Sequence, residues 1–494
     1  MHVHFIGVAG TGMGSVAGLF RAAGHRVTGS DVSFHAPMGP ALERWGIETM
    51  LGYHAANLEP KPDLVVVGNV CRKDNPEARA AIDGGMNVRS MCHALSDHIF
   101  DGTSPLVVAG TYGKTTTTSL AAWLLSAAGK EPGFLVGGLP KNFTTSFQLP
   151  SGFGVKRLPL ADGRKSDTLR QPAFVIEGDE YDTAFFEKTP KFWHYRPEVA
   201  IVTSIEHDHI DIYPDEASYL AAFRGFIERV PESGLIVAYC GDARVVEVVL
   251  ASARAEIAWY AVEGDDYHGQ PPHWLIAPAG CDASGQAFDL YVGGTAAPRS
   301  ALRLSGRHNL ANAAAALAAA CQGYGVPVST ALSALTRFEG VARRQELRGE
   351  PNGIRVYDDF AHHPTALRET LAGLRQRHPH GRLFAVYEPR SATACRALHQ
   401  QAYVEAFDSA TDVVIAPLGR DIAVGEALDL GRLASDLAAR GVTALVPESV
   451  DAIVRHVARE ARPGDTIALL SNGAFGGIVE RMLEALDPSA VPVT

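Results

Sequence analysis

The chain has 494 residues, of which 46% are hydrophobic and 20% are charged. This is the composition of a folded globular protein, and it excludes a disordered chain, a collagen and a small disulfide scaffold. The length suggests about three domains. The net charge is −11, so we do not expect the protein to bind nucleic acid through a large basic surface.

Six cysteines are spread along the chain without any CxxC pair. This spacing predicts neither a cysteine zinc site nor a disulfide framework, and it favours a reduced, cytoplasmic location. The first residues lack the basic segment of a signal peptide. No apolar run reaches the length of about 18 residues that spans a bilayer, so no membrane partner is expected, and the alanine-rich run 311–320 predicts a packed helix.

The first 100 or so residues alternate strand and helix patterns, which predicts a parallel sheet with crossover helices. Strands are expected at Val3–Ile6, Val27–Gly29 and Leu64–Val67. The glycine-rich segment Gly7–Gly14 follows the first strand and opens a helix, and Asp31 comes about 20 residues later, as in a dinucleotide-binding unit. The loop indicates a diphosphate more firmly than a nicotinamide.

A second glycine-rich loop follows the predicted strand Leu106–Ala109, and a helix is expected from Lys114 to Ala128. Its sequence, Gly-Thr-Tyr-Gly-Lys-Thr-Thr over 110–116, predicts a phosphate-binding loop. Lys114 would reach the β- and γ-phosphates, and the hydroxyl of Thr115 would ligate Mg²⁺. The spacing is not standard, because Val108 stands where the first glycine of the motif belongs, and a chance glycine-rich turn is the alternative.

Two polar clusters follow the next strands. Glu177 ends the apolar run Phe174–Ile176, and four carboxylates fall within residues 177–182, a density of negative charge that a cation would relieve. The segment 206–211, Glu-His-Asp-His-Ile-Asp, follows the strand Ala200–Thr203 and suits a second divalent cation or a phosphate contact. The alternative in both cases is a solvated polar loop.

The remaining residues predict an antiparallel excursion over 257–304, a surface loop over 150–172 and a third α/β block after Val341. In the segment 306–312 the asparagines could contact a base edge or cap a helix, and Arg343 and Arg344 could neutralise phosphate or lie on the surface. Strands are expected at Ile354–Tyr357, Leu383–Tyr387, Val413–Ala416, Ala444–Val446 and Thr466–Leu470. Three of their carboxyl ends carry polar segments, 357–364, 388–391 and 471–477, where open α/β sheets bind ligands.

These motifs together resemble the Mur ligase family along essentially the whole chain. The loop 110–116, the run Glu-x-Asp-Glu at 177–180, Asp-His-x-Asp at 208–211, His-Asn-x-x-Asn at 308–312 and Asp-Asp-Phe-Ala-His-His-Pro at 358–364 follow in the family's order. The resemblance implies an α/β fold of three domains, with a Rossmann-like UDP-sugar domain at 1–101, a central P-loop ATPase domain at 102–340 and a Rossmann-like, peptide-binding C-terminal domain at 341–494. It also implies an ATP- and Mg²⁺-dependent ligase that works through an acyl phosphate.

Two branches of the family carry these His-Asn and Asp-Asp-x-x-His-His forms. One adds L-alanine to UDP-N-acetylmuramate, and the other adds L-alanyl-γ-D-glutamyl-meso-diaminopimelate during peptidoglycan recycling. The sequence is more similar to the second branch, through Tyr181 and Asp182 after the Asp-Glu pair and through the segments 137–143, 388–391 and 471–477. The L-alanine ligase is the alternative, and the third residue of the peptide, diaminopimelate or lysine, stays open.

The resemblance assigns roles residue by residue. It implies UDP-sugar contacts at Gly10, Thr11, Gly12, Asp31 and Asn69. It implies ATP contacts at Gly110, Thr111, Gly113, Lys114, Thr115, Thr116, Asn309, Asn312, Arg344 and Asp359. It implies metal ligation by Thr115, Glu177 and His209, and peptide contacts at Arg390, Ser391, Ser471 and Asn472. The catalytic set would be Lys114, Glu177, His209 and Arg344.

The chain departs from the family pattern at a few positions. Tyr112 replaces the usual histidine of the ATP loop, and ATP binding is expected to survive this change. Phe223 stands where several members have a carbamoylated lysine, and the branch that this chain resembles also lacks that lysine. The expected partners are the small-molecule substrates, and the expected oligomeric state is a monomer or weak dimer. A Rossmann oxidoreductase and a catalytically silent nucleotide switch are the alternatives from other classes.

Overall fold

The computed structural model describes residues 1–154, 171–210, 212–423 and 425–487. Most of the loop predicted at 150–172 and Asp211 of the second polar cluster lie outside these ranges. The described elements are helices packed on largely parallel sheets, so the α/β prediction is confirmed.

The first sheet is entirely parallel and has the strand order β3-β2-β1-β4-β5. Its strands are β1 His2–Ile6, β2 Arg26–Asp31, β3 Glu48–Leu51, β4 Leu64–Val67 and β5 Val88–Ser90. Its helices are α1 Thr11–Ala22, α2 Met38–Arg44, α3 Pro76–Asp83 and α4 Met91–His98. The strand order reverses between β1 and β4, which opens a crevice at the carboxyl ends of these strands.

The second sheet is larger and has the order β17-β16-β15-β14-β13-β12-β6-β9-β7-β8, with β18 paired to β16, among the described residues. Its strands are β6 Ser104–Ala109, β7 Gly133–Leu135, β8 Phe147–Gln148, β9 Ala173–Gly178, β12 Val199–Val202, β13 Leu235–Tyr239, β14 Glu256–Val262, β15 Trp274–Asp282, β16 Gly285–Val292, β17 Thr295–Ala296 and β18 Ser300–Leu302. The strands β10 Asp182–Ala184 and β11 Glu187–Pro190 form a separate hairpin. The helices are α5 Lys114–Ala127, α6 Glu216–Ile227, α7 Ala243–Ser252, α8 Arg307–Ala318 and α9 Val328–Leu335.

The predicted antiparallel excursion begins later than expected. Strand β14 still pairs in parallel with β13, and only β15 to β18 form antiparallel pairs. The alanine-rich run forms most of α8, and it is buried except at Ala311. Its small side chains let α8 pack closely against α5 and the sheet, as expected for a packed helix.

The third sheet has the order β19-β20-β24-β21-β22-β23, in which β19 alone is antiparallel among the described strands. Its strands are β19 Glu346–Gly349, β20 Arg355–Asp359, β21 Leu383–Tyr387, β22 Asp412–Ile415, β23 Thr443–Leu445 and β24 Thr466–Leu470. Its helices are α10 Pro364–Arg377, α11 Gln400–Ala406, α12 Leu430–Ala439, α13 Val450–Glu460 and α14 Ile478–Leu486. The strands predicted in this block are all present.

The N-terminal and central parts are in direct contact. Helix α1 approaches β8 so closely that a Cβ atom on Gly18 would lie 2.2 Å from the ring of Phe147. The rings of Phe100 and Phe174 also pack together, with centroids 5.0 Å apart. No helix in the described part of the chain is both long and apolar enough to cross a membrane.

Candidate active site

The loop between β6 and α5 has the backbone of an anion-binding site. Gly110 and Gly113 have left-handed φ angles of 139° and 85°. A Cβ atom on Gly110 would lie 2.1 Å from the Thr203 hydroxyl, and one on Gly113 would lie 2.6 Å from the side-chain oxygen of Asn312. Both positions therefore require glycine. The first turn of α5 holds no acidic residue, so its backbone N–H groups suit a phosphate.

Lys114 is held by Glu180, one of the four carboxylates of the segment 177–182. Its Nζ lies 3.0 Å from Glu180 Oε2 and also donates to the carbonyl oxygen of Gly110. Glu180 is 1% exposed. Burial by itself lowers the pKa of Lys114, but the Glu180 and Asp179 carboxylates raise the pKa of Lys114 above its ordinary value. The amine is therefore charged and close to the loop that would bind phosphate.

The same glutamate contacts His209. The distance from His209 Nε2 to Glu180 Oε1 is 3.4 Å. Burial disfavours the charged ring, but the hydrogen bond and the charge of Glu180 raise the pKa of His209 to about 9. In this arrangement His209 is an imidazolium, whereas a metal ligand must be the neutral ring. Its predicted role as a metal ligand therefore requires the contact with Glu180 to break.

Glu177 occupies the end of β9, next to the P-loop strand β6. Its Oε2 accepts a hydrogen bond from the Thr115 hydroxyl at 3.0 Å, and its Oε1 accepts one from the backbone N–H of Gly137 at 2.5 Å. Burial and the nearby Asp179 raise the pKa of Glu177. Both bonded donors are neutral, so this carboxylate is well placed to accept a cation.

Asp179 is held differently. Lys191 Nζ donates to Asp179 Oδ2 at 3.2 Å and lies 4.0 Å from the ring centroid of Tyr181. Glu177, Asp179 and Glu180 therefore each have their own partners. The oxygen atoms of Thr115 and Glu177 form the hard donor set that Mg²⁺ prefers, so these residues fit a magnesium ion.

A cavity of about 700 Å³ lies where the central and C-terminal parts meet. It is lined by all four residues predicted to contact ATP outside the loop, and by two of those predicted within the loop. From the central part these are Gly113, Thr116, Asn309 and Asn312, and from the C-terminal part they are Arg344 and Asp359.

The two asparagines of this cavity lie inside α8 and do not cap it, because the N-cap position is Gly306. Asn309 Nδ2 donates to the carbonyl oxygen of Ser305 at 2.8 Å, and Asn312 Nδ2 donates to Asn309 Oδ1 at 3.2 Å. Their carboxamides thus bond within the protein in this arrangement. Contact with a base stays a prediction for both residues.

Arg344 and Asp359 join the C-terminal part to the loop. Arg344 Nη2 donates to the Thr115 hydroxyl at 3.1 Å. Asp359 ends β20 and accepts hydrogen bonds from the backbone N–H groups of Gln345 and Ala361, both at 2.7 Å. Burial raises the pKa of Asp359, and Arg344 opposes this effect. The structure therefore brings Lys114, Thr115, Glu177 and Arg344 into one site.

Tyr112 is anchored by Glu206, the first residue of the polar segment 206–211. Its hydroxyl donates to Glu206 Oε1 at 3.0 Å, and the hydroxyl of Thr365 donates to Glu206 Oε2 at 2.8 Å. Glu206 therefore connects the loop with the start of α10. The sequence shows Glu206 in a polar cluster but does not show these partners, because they come from distant parts of the chain.

The predicted UDP-sugar residues lie around the crevice of the first sheet. Gly10 is the N-cap of α1, and Gly10, Thr11 and Gly12 are exposed. Asp31 Oδ2 accepts a hydrogen bond from the N–H of Ala9 at 2.8 Å, which fixes the glycine-rich turn. Asn69 is exposed just beyond the end of β4. These positions suit an anionic ligand at the end of the sheet.

The predicted peptide residues lie beyond β21 and β24. The Ser471 hydroxyl donates to Glu388, and its oxygen accepts from the N–H of Gly473 at 2.9 Å. Ser391 Oγ accepts from the N–H of Ala394 at 3.0 Å. Arg390 packs over Gly473, where a Cβ atom would lie 2.4 Å from the Arg390 side chain.

Asn472 stands out in this segment. Its side-chain oxygen is buried and has no hydrogen-bond partner among the described residues. A buried carboxamide oxygen is usually satisfied. This atom is therefore a site at which a ligand could donate a hydrogen bond.

Models of the domains of one protein family match most of the chain. Residues 2–101 match the Mur ligase family catalytic domain, residues 108–320 the Mur ligase middle domain and residues 343–473 the glutamate ligase domain of Mur ligases. The chain is 36% identical over 495 residues to the UDP-N-acetylmuramate–L-alanyl-gamma-D-glutamyl-meso-2,6-diaminoheptandioate ligase of Escherichia coli (strain K12), with 99% of each chain covered.

Two further comparisons bear on the choice of branch. The chain is 32% identical over 498 residues to the UDP-N-acetylmuramate–L-alanine ligase of Roseiflexus sp. (strain RS-1), covering 98% of this chain and 99% of that protein. The crystal structure of a murein peptide ligase from Psychrobacter arcticus 273-4 superimposes with a TM-score of 0.71 at 34% identity, covering 99% of this chain and 100% of that one.

Proposed function

The chain belongs to the Mur ligase family, and we propose that it joins the peptide L-alanyl-γ-D-glutamyl-meso-diaminopimelate to UDP-N-acetylmuramate. It is an ATP-dependent ligase that forms an amide bond and releases ADP, as members of this family do. The proposed reaction belongs to the recycling of peptidoglycan and takes place in the cytoplasm, where ATP and nucleotide sugars are found. Its proposed ligands are three small molecules.

One observation carries the proposal. The P-loop is the point at which four side chains converge, those of Lys114, Thr115, Glu177 and Arg344. The loops that would hold the UDP-sugar and the peptide lie at the carboxyl ends of the first and third sheets. This arrangement suits a reaction that needs an activated carboxylate and an incoming amine. The branch is supported by the higher identity to the Escherichia coli peptide-adding relative.

The chemistry follows from the leaving group. A free carboxylate is a poor acyl donor, because its leaving group would be oxide. Transfer of the γ-phosphoryl group of ATP to the lactyl carboxylate of UDP-N-acetylmuramate gives an acyl phosphate and ADP. The amine of the peptide's L-alanine then attacks the acyl carbon and loses a proton, and phosphate leaves as the amide forms. No protein nucleophile is required.

The proposed roles of the side chains are positioning and charge neutralisation. Lys114 would leave Glu180 and bind the β- and γ-phosphates, because its amine already lies next to the loop that would hold these phosphates. Arg344 would donate to the transferring phosphoryl group from the place where it now contacts Thr115. Thr115 and Glu177 would hold Mg²⁺, which neutralises phosphate charge when bound. Exclusion of water between the domains would protect the acyl phosphate from hydrolysis.

The recognition of the peptide is assigned to the C-terminal domain. Arg390 provides a positive charge, and the buried oxygen of Asn472 provides an acceptor. A peptide with a distal carboxylate and an ammonium group matches these two features. L-alanine alone has no distal groups that would reach them, which favours the peptide over the alternative substrate.

The decisive experiment is ADP release by the purified protein with ATP, Mg²⁺ and UDP-N-acetylmuramate. L-alanine or the L-alanyl-γ-D-glutamyl-diaminopimelate tripeptide is supplied as the amine. We expect turnover with the tripeptide and none with L-alanine, and no tripeptide-dependent ADP release without UDP-N-acetylmuramate. Turnover with L-alanine alone would move the enzyme to the L-alanine branch.

A further inference from the structure

Two histidines and a glutamate meet at the junction between the N-terminal and central domains, outside the site described above. His93 lies on α4, Glu187 on β11 and His194 in the short helix Lys191–His194. His93 Nδ1 lies 3.1 Å from Glu187 Oε2, and His194 Nε2 lies 3.8 Å from Glu187 Oε1. The centroids of the two imidazole rings are 4.5 Å apart.

This cluster is unique within the part of the chain that the structure describes. It is the one group of three or more His, Cys, Asp or Glu side chains whose potential ligand atoms all lie within 4.8 Å of one another. We propose that His93, Glu187 and His194 bind a divalent cation of the zinc class and that this ion links the N-terminal domain to the central domain.

The spacing of the donor atoms supports the proposal. Zn–N and Zn–O bonds of about 2.0–2.2 Å put the ligand atoms of a tetrahedral site about 3.3 Å apart. The nitrogens of His93 and His194 lie 3.1 and 3.8 Å from different oxygens of Glu187, and one ligand atom from each residue can be chosen so that all three lie within 4.8 Å of one another. Side-chain rotations that shorten these separations would complete the site. Three protein ligands would leave the fourth position to a water molecule.

The chemistry of the donors selects the class of cation. Two imidazole nitrogens and one carboxylate oxygen form a set typical of zinc and other late transition metals. Magnesium and calcium prefer oxygen donors. The proposed site would therefore take a different ion from the one proposed at Glu177, and it uses none of the six cysteines.

Neighbouring hydroxyl groups complete the arrangement. The Ser90 hydroxyl donates to Glu187 Oε2 at 3.0 Å, which orients the carboxylate in the way that outer-shell groups orient metal ligands. Thr189 Oγ1 lies 2.9 Å from His194 Nε2. A cation bound to this nitrogen would take the place of the Thr189 hydroxyl as its partner. The His93 side chain is 38% exposed, so an ion could enter from solvent. The competing interpretation is a metal-free hydrogen-bond network, which predicts no affinity for zinc.

The position of the cluster gives the ion a structural consequence. Helix α4 packs against β10 and against the helix Lys191–His194. The β10–β11 hairpin begins at Asp182, two residues after Glu180 of the P-loop site. An ion shared by His93 and Glu187 would fix this hairpin to the N-terminal domain. The proposal does not depend on which amine the ligase accepts.

The test is a Co²⁺ titration of untagged, chelator-treated protein in excess Mg²⁺, followed by the visible absorption of four-coordinate Co²⁺ and by displacement with Zn²⁺. We expect one equivalent in the wild-type protein and affinity weaker by more than about tenfold in His93→Ala and His194→Ala. His268→Ala is the matched control, because His268 is similarly exposed but pairs with the carboxylate of Asp266. It should bind like the wild type.

Glu187→Gln separates binding from folding, since glutamine keeps an acceptor for Ser90 but loses the charge. In the presence of a chelator we expect Glu187→Gln to melt at the same temperature as the wild type. Adding Zn²⁺ should raise the melting temperature of the wild type but not that of Glu187→Gln. The proposal is overturned if the wild type shows no four-coordinate Co²⁺ spectrum, or if His93→Ala binds as tightly as the wild type.

Discussion

Arg344 donates a hydrogen bond to the Thr115 hydroxyl at 3.1 Å and so joins the start of the C-terminal domain to the first turn of the P-loop helix. Its neighbour Arg343 points the other way and donates to the carbonyl oxygens of Ser471 and Gly473, both at 2.7 Å. Both guanidinium groups lie over the ring of Phe360. Two consecutive arginines therefore connect the proposed ATP and peptide sites.

The first prediction concerns Arg344. In Arg344→Ala the positive charge beside Thr115 is lost, so the transferring phosphoryl group is less well neutralised. We expect kcat for ADP release to fall about 100- to 1000-fold, with little change in KM for UDP-N-acetylmuramate. Arg299→Ala, which removes an exposed ion pair with Asp289, is the control. A wild-type kcat in Arg344→Ala would show that Arg344 only supports the Thr115 hydroxyl.

The second prediction separates the catalytic and structural roles of Lys114. Lys114→Ala should reduce ADP release about 100-fold or more, and it should destabilise the fold by about 1–3 kcal/mol, because the buried Glu180 loses its cation. Adding Glu180→Gln should restore the free energy of unfolding but not the activity. Lys188→Ala, at an exposed ion pair with Asp182, is the control. Undiminished ligation by Lys114→Ala would exclude the proposed mechanism.

The third prediction is a pH dependence of stability. The pKa of His209 is raised from 6.5 to about 9 in the folded protein. Its contribution to stability is therefore complete below pH 6.5 and is lost as the pH rises through 9. Since the side chain is one-third exposed, we expect a contribution of about 1 kcal/mol. Urea unfolding of the wild type and His209→Gln should show a stability difference that shrinks over this interval.

The parts of the site built from neighbouring strands could be predicted from the sequence. Strand β6 lies beside β9 in parallel, so the loop after one and the carboxylate after the other meet at the same edge. This is why Lys114, Thr115 and Glu177 converge as expected. The order of residues along the strand–loop–helix unit places Lys114 and Thr115 at the anion site, and Glu177 joins them because its strand ends at the same edge of the sheet.

Other contacts depend on packing between distant segments. The backbone N–H of Gly137 reaches Glu177 because β7 is the next strand beyond β9, which the chain order does not reveal. Glu206 contacts Tyr112 and Thr365 from two different domains. The sequence shows several acidic residues in a row at the end of β9 and does not show which of them pairs with Lys114. In the fold that partner is Glu180, which is buried.

The fourth prediction tests the departure at Tyr112. Tyr112→Phe removes the hydroxyl that donates to Glu206. Because Glu206 keeps its hydrogen bond from Thr365, we expect a loss of stability of about 0.5–1.5 kcal/mol. The KM for ATP should be unchanged, since the phosphates are expected to contact the backbone and Lys114. A KM for ATP raised tenfold or more would instead make the Tyr112 hydroxyl part of the nucleotide site.

The fifth prediction concerns the buried oxygen of Asn472, which has no partner among the described residues. If the peptide donates a charged hydrogen bond to it, Asn472→Ala should lose about 1.5–3 kcal/mol of binding. This corresponds to a KM for the tripeptide that is about 10- to 100-fold higher, while the KM values for ATP and UDP-N-acetylmuramate stay the same.

The stability of Asn472→Ala distinguishes a binding role from a structural one. Removing an unsatisfied buried acceptor costs no hydrogen bond in the free protein, so its free energy of unfolding should be unchanged or higher. Asn87→Ala, in the N-terminal domain, is the kinetic control. A destabilised Asn472→Ala protein with an unaltered KM for the tripeptide would mean that this carboxamide supports the loop 471–477 and does not contact the peptide.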